Sequence, residues 1–365
     1  MRVLQVSHND APPFPAVCRA HERALGMLGA HVTTIYLSRT MHGLPDGEHE
    51  YLSMHAVSGR RAAALLRERL ASAEFDLCIA HRYKACVAAS LSRRRVRIER
   101  TICVAHEFGF FAPRRRRWLR LIAARDVELA GVSPALAREL EATDPLHLPA
   151  LVLGDAIDVA ELDATRLGRA QARGLLGIAP DAVAIGVVGR LTRKKRPDIA
   201  LDVLAGVDAA RRATLTLHFV GAGEARAALD ARARELGVAG HVRHHGFVPD
   251  AARTMSAFDA IVFPSSRDSF GMVLIEAMVA GVPVLAAEST VARDVMGSLG
   301  TYFDVAAPDT AGDVVVRLTT QSGAERTRWA EAARERVSSR HSVAALADAY
   351  AAVLGTAAAR PTAAS

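Results

Sequence analysis

The sequence predicts an α/β protein built from two doubly wound domains, each with a parallel sheet. Short apolar segments alternate with helical segments in both halves of the chain, which is typical of a parallel sheet covered by helices on both faces. The length of 365 residues suits two domains better than one core. Between residues 153 and 181 the alternation is interrupted, so we expect the domain boundary in that stretch.

The first half contains five strand-like segments, of which residues 2–6 form the first. Ser133 and Pro134 have the composition of a helix N-cap followed by a first-turn proline. Predicted strands are 2–6, 32–37, 75–80, 102–105 and 129–132, and predicted helices are 19–28, 62–73, 87–92, 118–124 and one starting at 134. We expect a Rossmann-like domain over residues 1–168.

The second half repeats the pattern, and we expect a second Rossmann-like domain over residues 169–340. Predicted strands are 182–188, 215–220, 241–244, 260–262, 284–286 and 301–303, and predicted helices are 198–204, 224–236, 271–280, 291–296 and 310–319. A last helix at about 341–356 is expected to cross back onto the first domain. The small, polar tail over 357–365 is expected to be disordered.

Composition restricts the class of partner and the cellular compartment. The net charge is +7 and the pI about 9.7, which favours an anionic partner. The chain is rich in arginine throughout, so many of its arginines do not by themselves indicate a binding site. It has three lysines, Lys84, Lys194 and Lys195. The chain shows no CxxC pair, no apolar run of about 18 residues and no N-terminal signal region, so we expect a cytoplasmic protein with buried, reduced cysteines.

The stretch 265–284 contains a polar loop, Gly271 and then an almost wholly apolar helix. A helix start presents free N–H groups at a positive dipole end, where an anion is stabilised. The same helix carries Glu276, a carboxylate that is costly to bury unless it accepts hydrogen bonds. A diphosphate at Gly271 and hydroxyl groups at Glu276 would satisfy both requirements, and a sugar nucleotide has both.

Three further loops follow predicted strands of the second domain, at the edge where ligands bind in doubly wound sheets. The segment 189–197 holds five cations within seven residues, suited to neutralising a diphosphate leaving group. The loop at Gly221 has too few glycines for a dinucleotide fingerprint, so a simple turn and a ligand loop remain equally open. The segment 244–249 is either a place for a base edge or an ordinary strand end.

Taken together, these segments resemble the retaining glycosyltransferases of family 4, which have the GT-B fold of two Rossmann-like domains around a cleft. The similarity covers about residues 183 to 290. Its motifs, in order, are Val188-Gly189-Arg190-Leu191 with Lys195 and Asp198, Val220-Gly221-Ala222-Gly223, Gly246-Phe247-Val248-Pro249-Asp250, Pro264-Ser265, Phe270-Gly271 through Glu276-Ala277, and Gly281-Val282-Pro283-Val284.

The resemblance implies a role for each matching residue. Arg190 and Lys195 match the pair that neutralises the diphosphate, and Glu276 matches the carboxylate that binds the ribose hydroxyls. Asp268 stands where the family usually has Glu, which contacts hydroxyls of the transferred sugar; the side chain here is one methylene shorter. Matches to backbone contacts with phosphates and sugar are Phe270, Gly271, Met272 and Val273, and Val248 matches the position beside the nucleobase.

The first domain resembles the family more weakly. The usual Gly-Gly loop after the first strand is replaced by 11–15, which contains Pro12 and Pro13, and proline removes backbone donors. His106, at a strand end, matches a histidine that lies against the donor sugar, although a lone histidine is often structural. Glu107 and the segment 81–84 are weaker candidates for the acceptor site.

A second basic run precedes an aromatic residue in the first domain. Arg114, Arg115, Arg116 and Arg117 lie next to Trp118, a composition that suits an anionic membrane surface. The alternative is a solvated face in an arginine-biased chain. Nucleic acid is not expected, because neither a recognised module nor an aromatic platform accompanies the charge.

The sequence therefore predicts a retaining glycosyltransferase that moves a sugar from a UDP- or GDP-linked donor to a glycan or glycolipid acceptor, with lipopolysaccharide core as one candidate. We expect no metal and no other cofactor, since cations and a helix start serve the leaving group. The location would be cytoplasmic, with peripheral binding to the inner face of the membrane. Alternatives are a catalytically degenerate sugar-nucleotide-binding protein and a GT-B epimerase or phosphorylase.

Overall fold

The computed structural model describes residues 1–11, 13–40, 50–53, 55–123 and 125–357. The chain forms two compact units, one comprising Met1–Ile157 with the C-terminal segment from Arg340, the other Asp158–Ser339. Each unit has its own parallel sheet with helices in the crossovers. The predicted α/β class with two Rossmann-like domains is confirmed.

The first domain has a seven-stranded parallel sheet in the order β3-β2-β1-β4-β5-β6-β7. Its strands are β1 Arg2–Ser7, β2 His31–Tyr36, β3 Glu50–Tyr51, β4 Phe75–His81, β5 Ile98–Ala105, β6 Glu128–Gly131 and β7 Leu151–Val152. Its helices are α1 Phe14–Met27, α2 Gly59–Arg69, α3 Arg82–Val96, α4 Arg114–Ala123, α5 Pro134–Thr143 and the C-terminal α15 Val343–Ala357. The chain turns one way from β1 and the other way from β4, so these adjacent strands mark a switch point.

The second domain has a six-stranded parallel sheet in the order β10-β9-β8-β11-β12-β13. Its strands are β8 Val183–Val188, β9 Leu215–Val220, β10 Val242–Gly246, β11 Ala260–Phe263, β12 Val284–Ala287 and β13 Thr301–Phe303. Its helices are α6 Val159–Thr165, α7 Arg169–Leu176, α8 Asp198–Ala205, α9 Ala209–Arg212, α10 Arg226–Glu235, α11 Met272–Val279, α12 Thr290–Met296, α13 Gly312–Thr319 and α14 Gly323–Arg340. Its switch point lies between β8 and β11.

The central strands are buried on both faces, which explains why they were recognisable from the sequence as short apolar runs. Every residue of β11 and β12 is buried. Four helices were not expected: α6, α7, α9 and α14. Three of them have eight residues or fewer, and α14 buries only Ala333 and Val337 along its 18 residues, so its apolar periodicity is weak.

The division between the two domains differs from the expected one at residue 168. Residues 158–168 belong to the second domain, because Leu162 is buried there and Leu167 exchanges hydrogen bonds with Arg253 (N–H to carbonyl, 3.0 Å) and Ser256 (Oγ to carbonyl, 2.7 Å). The last helix, α15, packs on α1 of the first domain and continues to Ala357. Residues 358–365 lie outside the described residues.

The cysteines behave as predicted: Cys18, Cys78, Cys86 and Cys103 are buried and free. Among the helices that the structure describes, none combines the length and the apolar character needed to cross a membrane.

Candidate active site

The loops after the second-domain strands are bonded to one another at the carboxyl edge of the sheet. The Gly189 N–H donates to the carbonyl of Val220 (2.9 Å), and the Gly221 N–H donates to the carbonyl of Gly246 (2.8 Å). A side chain on Gly221 would lie 1.9 Å from the Gly189 carbonyl oxygen. Gly221 therefore permits a close backbone approach that shapes the edge, while its predicted contact with a ligand stays a prediction.

Lys195 and Asp268 meet across the switch point of this domain. Lys195 ends a short 3-10 turn after β8, and Asp268 lies in the loop after β11; the two side chains form an ion pair. The Asp268 Oδ1 also accepts the Gly271 N–H at 3.2 Å and the Phe270 N–H at 3.4 Å. Although burial opposes ionisation, the Lys195 ammonium and these N–H groups hold the pKa of Asp268 below its ordinary value.

The start of α11 offers backbone donors that the protein leaves unused. Gly271 adopts a left-handed conformation (φ 84°), from which the chain enters the helix at Met272. Within the part of the chain that the structure describes, the N–H groups of Met272 and Val273 have no acceptor. The buried hydroxyl of Ser265, in the preceding loop, also lacks a partner. Four backbone N–H groups were predicted to contact phosphates and sugar. Those of Phe270 and Gly271 bond to Asp268, and those of Met272 and Val273 are available.

Glu276 lies in the second turn of α11, where the other residues of the helix are apolar, and it is half-buried. No hydrogen-bond donor among the described residues contacts its carboxylate, and desolvation raises its pKa to about 7. A desolvated carboxylate without a partner is costly, as the sequence suggested. Within the described chain, one helix, α11, therefore presents two unpaired N–H donors at its start, on Met272 and Val273, and an unpaired carboxylate acceptor one turn later, on Glu276.

The five cations of the basic loop have different environments. Arg196 pairs with Asp198 at 2.9 Å, while Lys195 pairs with Asp268. The other three, Arg190, Arg193 and Lys194, have exposed side chains. Among the described residues the Arg190 guanidinium has no acidic partner, so it remains free to pair with an anion.

The predicted base-side residue, Val248, is half-buried in the loop after β10. Its neighbour Phe247 exposes 67% of its surface, a large apolar side chain that the sequence analysis did not single out. In the preceding strands, His218 and His245 stack with ring centroids 5.2 Å apart, and burial lowers the pKa of both imidazoles. At β10 the carboxyl edge of the sheet therefore carries an exposed apolar ring and stacked imidazoles, whereas the loop after β8 carries the cations.

In the first domain, His106 belongs to a buried hydrogen-bond network. Its Nδ1 lies 3.2 Å from Asp155 Oδ2 and its Nε2 lies 3.0 Å from His81 Nδ1. His81 in turn contacts Gln5 Oε1 at 3.2 Å, and burial lowers the pKa of His81 well below its usual value. Both ring nitrogens of His106 are thus engaged, and its predicted contact with the donor sugar stays a prediction.

Asp155 is a member of this network that the sequence analysis missed. Burial disfavours its charge, but His106 and His21 hold its pKa well below the ordinary value. Asp155 was hard to recognise in the sequence, because the strand that precedes it, β7, has only two residues.

Pro13 is the N-cap residue of α1, whereas Pro12 lies outside the described residues. The altered loop therefore leads directly into the first helix.

The basic run forms the first turn of α4. Arg114, Arg115 and Arg117 are exposed, and so are Trp118 (68%) and Ile122 (76%), which lie one helical turn apart. Arg116 is different: its guanidinium lies 4.4 Å from the ring centroid of Tyr83, and its Nη1 donates to the carbonyl of Phe110 at 2.9 Å. The run thus contains three surface cations and one packed cation.

Metal ligation was not expected from the sequence. Among the described residues no group of three or more His, Cys, Asp or Glu side chains is placed to hold a metal ion. The prediction that no metal takes part stays a prediction.

Residues 169–336 match the family model described as glycosyl transferases group 1. The match lies within the second domain and covers most of it. The match covers α7 through most of α14, including the Lys195–Asp268 pair and Glu276.

Curated relatives match part of the chain as well. The D-inositol 3-phosphate glycosyltransferase of Actinosynnema mirum is 36% identical over 181 residues, which are 46% of this chain and 40% of the relative. The corresponding protein of Mycobacterium marinum is 34% identical over 189 residues, or 48% of this chain and 39% of the relative. The chain thus aligns with about two fifths of the length of these relatives.

The fold of the whole chain resembles solved GT-B structures. The Anabaena protein HepE, solved in complex with UDP and glucose, is 19% identical, with a TM-score of 0.78 and coverage of 98% of this chain and 100% of that one. The lipopolysaccharide outer core galactosyltransferase WaaB is 14% identical, with a TM-score of 0.70 and the same coverage. At these identities the likeness concerns the fold alone.

Proposed function

We propose that the protein is a retaining glycosyltransferase of family 4 that moves a sugar from a UDP- or GDP-linked donor to a hydroxyl of a glycan or glycolipid. The observation that carries the proposal is on α11, where free N–H groups at Met272 and Val273 lie one turn before the unpartnered carboxylate of Glu276. An anion suits the helix start and hydroxyl groups suit the carboxylate. A nucleoside diphosphate presents both.

In the proposed mechanism, the bond between the sugar C1 and the diphosphate oxygen breaks while the acceptor oxygen bonds to C1 on the same face. The acceptor proton leaves with the departing diphosphate, so no protein base is assigned. Lys195 and Arg190 neutralise the charge that develops on the diphosphate, and the N–H groups of α11 add to this. Because Lys195 is already held beside α11 by Asp268, little reorganisation is required when the charge develops.

The other predicted site residues bind and orient the donor. Glu276 accepts hydrogen bonds from the ribose hydroxyls, and Val248 lies beside the base. Asp268 accepts from a hydroxyl of the transferred sugar while retaining Lys195. His106 is assigned to the sugar near C1, oriented by Asp155 through the hydrogen bond to its Nδ1.

We further propose that the acceptor is a glycolipid, with lipopolysaccharide core as the first candidate, and that the enzyme binds the inner face of the membrane through α4. Support comes from Trp118 and Ile122, exposed among three free arginines. Such a face combines apolar insertion with attraction to anionic lipid.

The function is tested with the full chain in two measurements. A thermal-shift screen of UDP- and GDP-sugars should raise the melting temperature with one of them, because a ligand that binds only the folded state stabilises it. Transfer of the labelled sugar to a panel of glycans and glycolipids should then conserve the anomeric configuration and continue in EDTA. Binding without transfer to any acceptor would favour a degenerate binding protein, and C2 inversion of the free donor would favour an epimerase.

A further inference from the structure

The first domain has its own switch point, and three basic side chains converge there. Ser7 and His81 are paired at the ends of the parallel strands β1 and β4, so the residues that follow them, His8 and Arg82, emerge side by side. Lys84 follows in the first turn of α3. We call His8, Arg82 and Lys84 the first-domain crevice. In doubly wound folds a crevice at this place is where ligands bind.

The charge of the first-domain crevice is poorly compensated. Arg82 pairs with Glu107 at 3.2 Å, and Glu107 is half-exposed. The half-buried Lys84 has no acidic partner among the residues that the structure describes. Partial burial together with Lys84 and Arg82 lowers the pKa of His8 to about 4. Two half-buried cations therefore lie near an imidazole that they keep neutral.

The backbone and the neighbouring ring also hold this arrangement in place. Arg82 has φ 69°, a left-handed conformation that is rare for a residue with a side chain and is typical of functional sites when the surroundings enforce it. Its guanidinium lies 4.9 Å from the Phe14 ring centroid. The adjacent Tyr83 carries Arg116 on its ring, and the buried Nε of Arg116 has no hydrogen-bond partner in the described part of the chain. A third cation is thus packed at the rim.

We propose that the first-domain crevice binds an oxyanion of the acceptor, a phosphate or a carboxylate, between Arg82 and Lys84. An oxyanion would supply the negative charge that the protein itself does not, and the first turn of α3 would add to the attraction. The assignment of this anion to the acceptor rests on the proposed function, since the second-domain site accounts for the donor. The acceptor would then be a phosphorylated or acidic sugar.

His8 provides a local reporter for binding, separate from the donor site. In full-length protein labelled at histidine, the His8 signals are assigned by their loss in His8→Asn. The titration of His8 is then followed by NMR with glucose 6-phosphate, with glucuronate and with neutral glucose. An anion bound between Arg82 and Lys84 should raise the pKa of His8 by about one unit. Glucose should leave it unchanged.

Matched variants locate the effect. Lys84→Gln should weaken binding of the effective anion about tenfold, and Lys84→Arg should retain most of it. Arg95→Gln removes one exposed cation from the opposite end of the same helix, about 16 Å away, and should bind as the unmodified protein does. If Lys84→Gln does not fold, the comparison of Lys84→Arg and Arg82→Gln with Arg95→Gln gives the same answer.

Each result either identifies the class of anion that binds or overturns the inference. A response to glucose 6-phosphate alone indicates a phosphorylated acceptor, a response to glucuronate alone indicates a carboxylate, and a response to both supports a general oxyanion site. If neither anion moves the His8 titration, or if the Lys84 and Arg82 variants bind normally, the inference is overturned. The His8 titration does not depend on catalysis. If the protein never transfers a sugar, the proposed function is refuted, and the titration alone still decides whether the first-domain crevice binds an oxyanion.

Discussion

Lys195 and Asp268 form an ion pair that joins the loop after β8 to the loop before α11. The same carboxylate accepts the Gly271 N–H at 3.2 Å, so the ammonium is positioned beside a helix start before any ligand arrives. A positioned cation stabilises a developing negative charge without having to reorganise. This relationship motivates the first prediction.

Replacing Lys195 with Met should lower kcat/KM for sugar transfer about 100- to 1,000-fold, because one positioned group that stabilises the leaving charge is lost. The measurement is steady-state transfer with the nucleotide sugar selected by the thermal-shift screen. Lys194→Met is the matched control: it removes an adjacent but exposed cation and should change the rate less than twofold. Equal losses in the two variants would contradict the role given to the ion pair.

Glu276→Gln should raise the stability of the protein at pH 8 while lowering its affinity for the donor. The carboxyl has a folded-state pKa of about 7 against 4.5 without burial. Since the folded state holds the proton more tightly, the protein loses stability as pH rises from about 4.5 to 7, by roughly 1–3 kcal/mol. The amide does not ionise, so the variant should be more stable than the unmodified protein at pH 8 and comparable at pH 4.

The measurement is urea unfolding at the two pH values, together with donor affinity at pH 8. Affinity should fall about tenfold or more, because a charged acceptor for the ribose hydroxyls is lost. Glu331→Gln removes an exposed carboxylate of the same domain and should change neither quantity. A variant that is less stable at pH 8 would show that the carboxylate has a partner in the protein.

Gly221→Ala should destabilise the second domain by several kcal/mol. Its φ of +149° is rarely adopted by residues with a side chain, and the added methyl would lie 1.9 Å from the Gly189 carbonyl oxygen. Thermal unfolding measures the loss. Gly240→Ala is the control, since it has space around it and an ordinary backbone conformation. Similar melting temperatures for the two variants would mean that the loops separate easily.

Replacing Arg114, Arg115 and Arg117 with Ser should weaken binding to vesicles of anionic lipid by about 3 kcal/mol, roughly two orders of magnitude. Arg116 is left in place because it packs on Tyr83. A variant with Arg60, Arg61 and Arg95 changed to Ser loses the same charge from other exposed positions of this domain. Cosedimentation that is unaffected by the first triple variant, or reduced equally by both, would refute membrane binding through α4.

Tyr350→Phe should cost about 1–3 kcal/mol of stability, because it deprives the buried His21 Nδ1 of a partner at 2.6 Å. This contact ties α15 to α1, although the residues are 329 positions apart. Urea unfolding measures the change. Donor affinity, measured in parallel, should be unaltered. An unchanged unfolding midpoint would mean that the helix is held by its apolar contacts alone.

Much of the second domain was recognisable in the sequence because burial on both faces makes its strands continuous apolar runs. The predicted segments 215–220 and 301–303 agree with β9 and β13 at both ends. Glu276 was recognisable because it is a charged residue in an otherwise apolar helix. Gly271 was recognisable because it lies between a polar loop and that helix. The short helices α6 and α7 gave no comparable signal, since each has two turns and few buried residues.

The sequence by itself determined the two parallel-sheet domains and the residue types at the second-domain edge, because periodicity and chemical type are local properties. Only the tertiary structure decided which of those groups are already occupied. It pairs Lys195 with Asp268, leaves Glu276 without a partner among the residues that it describes, and surrounds His106 with Asp155 and His81. It also brings His8 beside Arg82, 74 positions later in the chain, because strand register joins residues that no sequence window contains together.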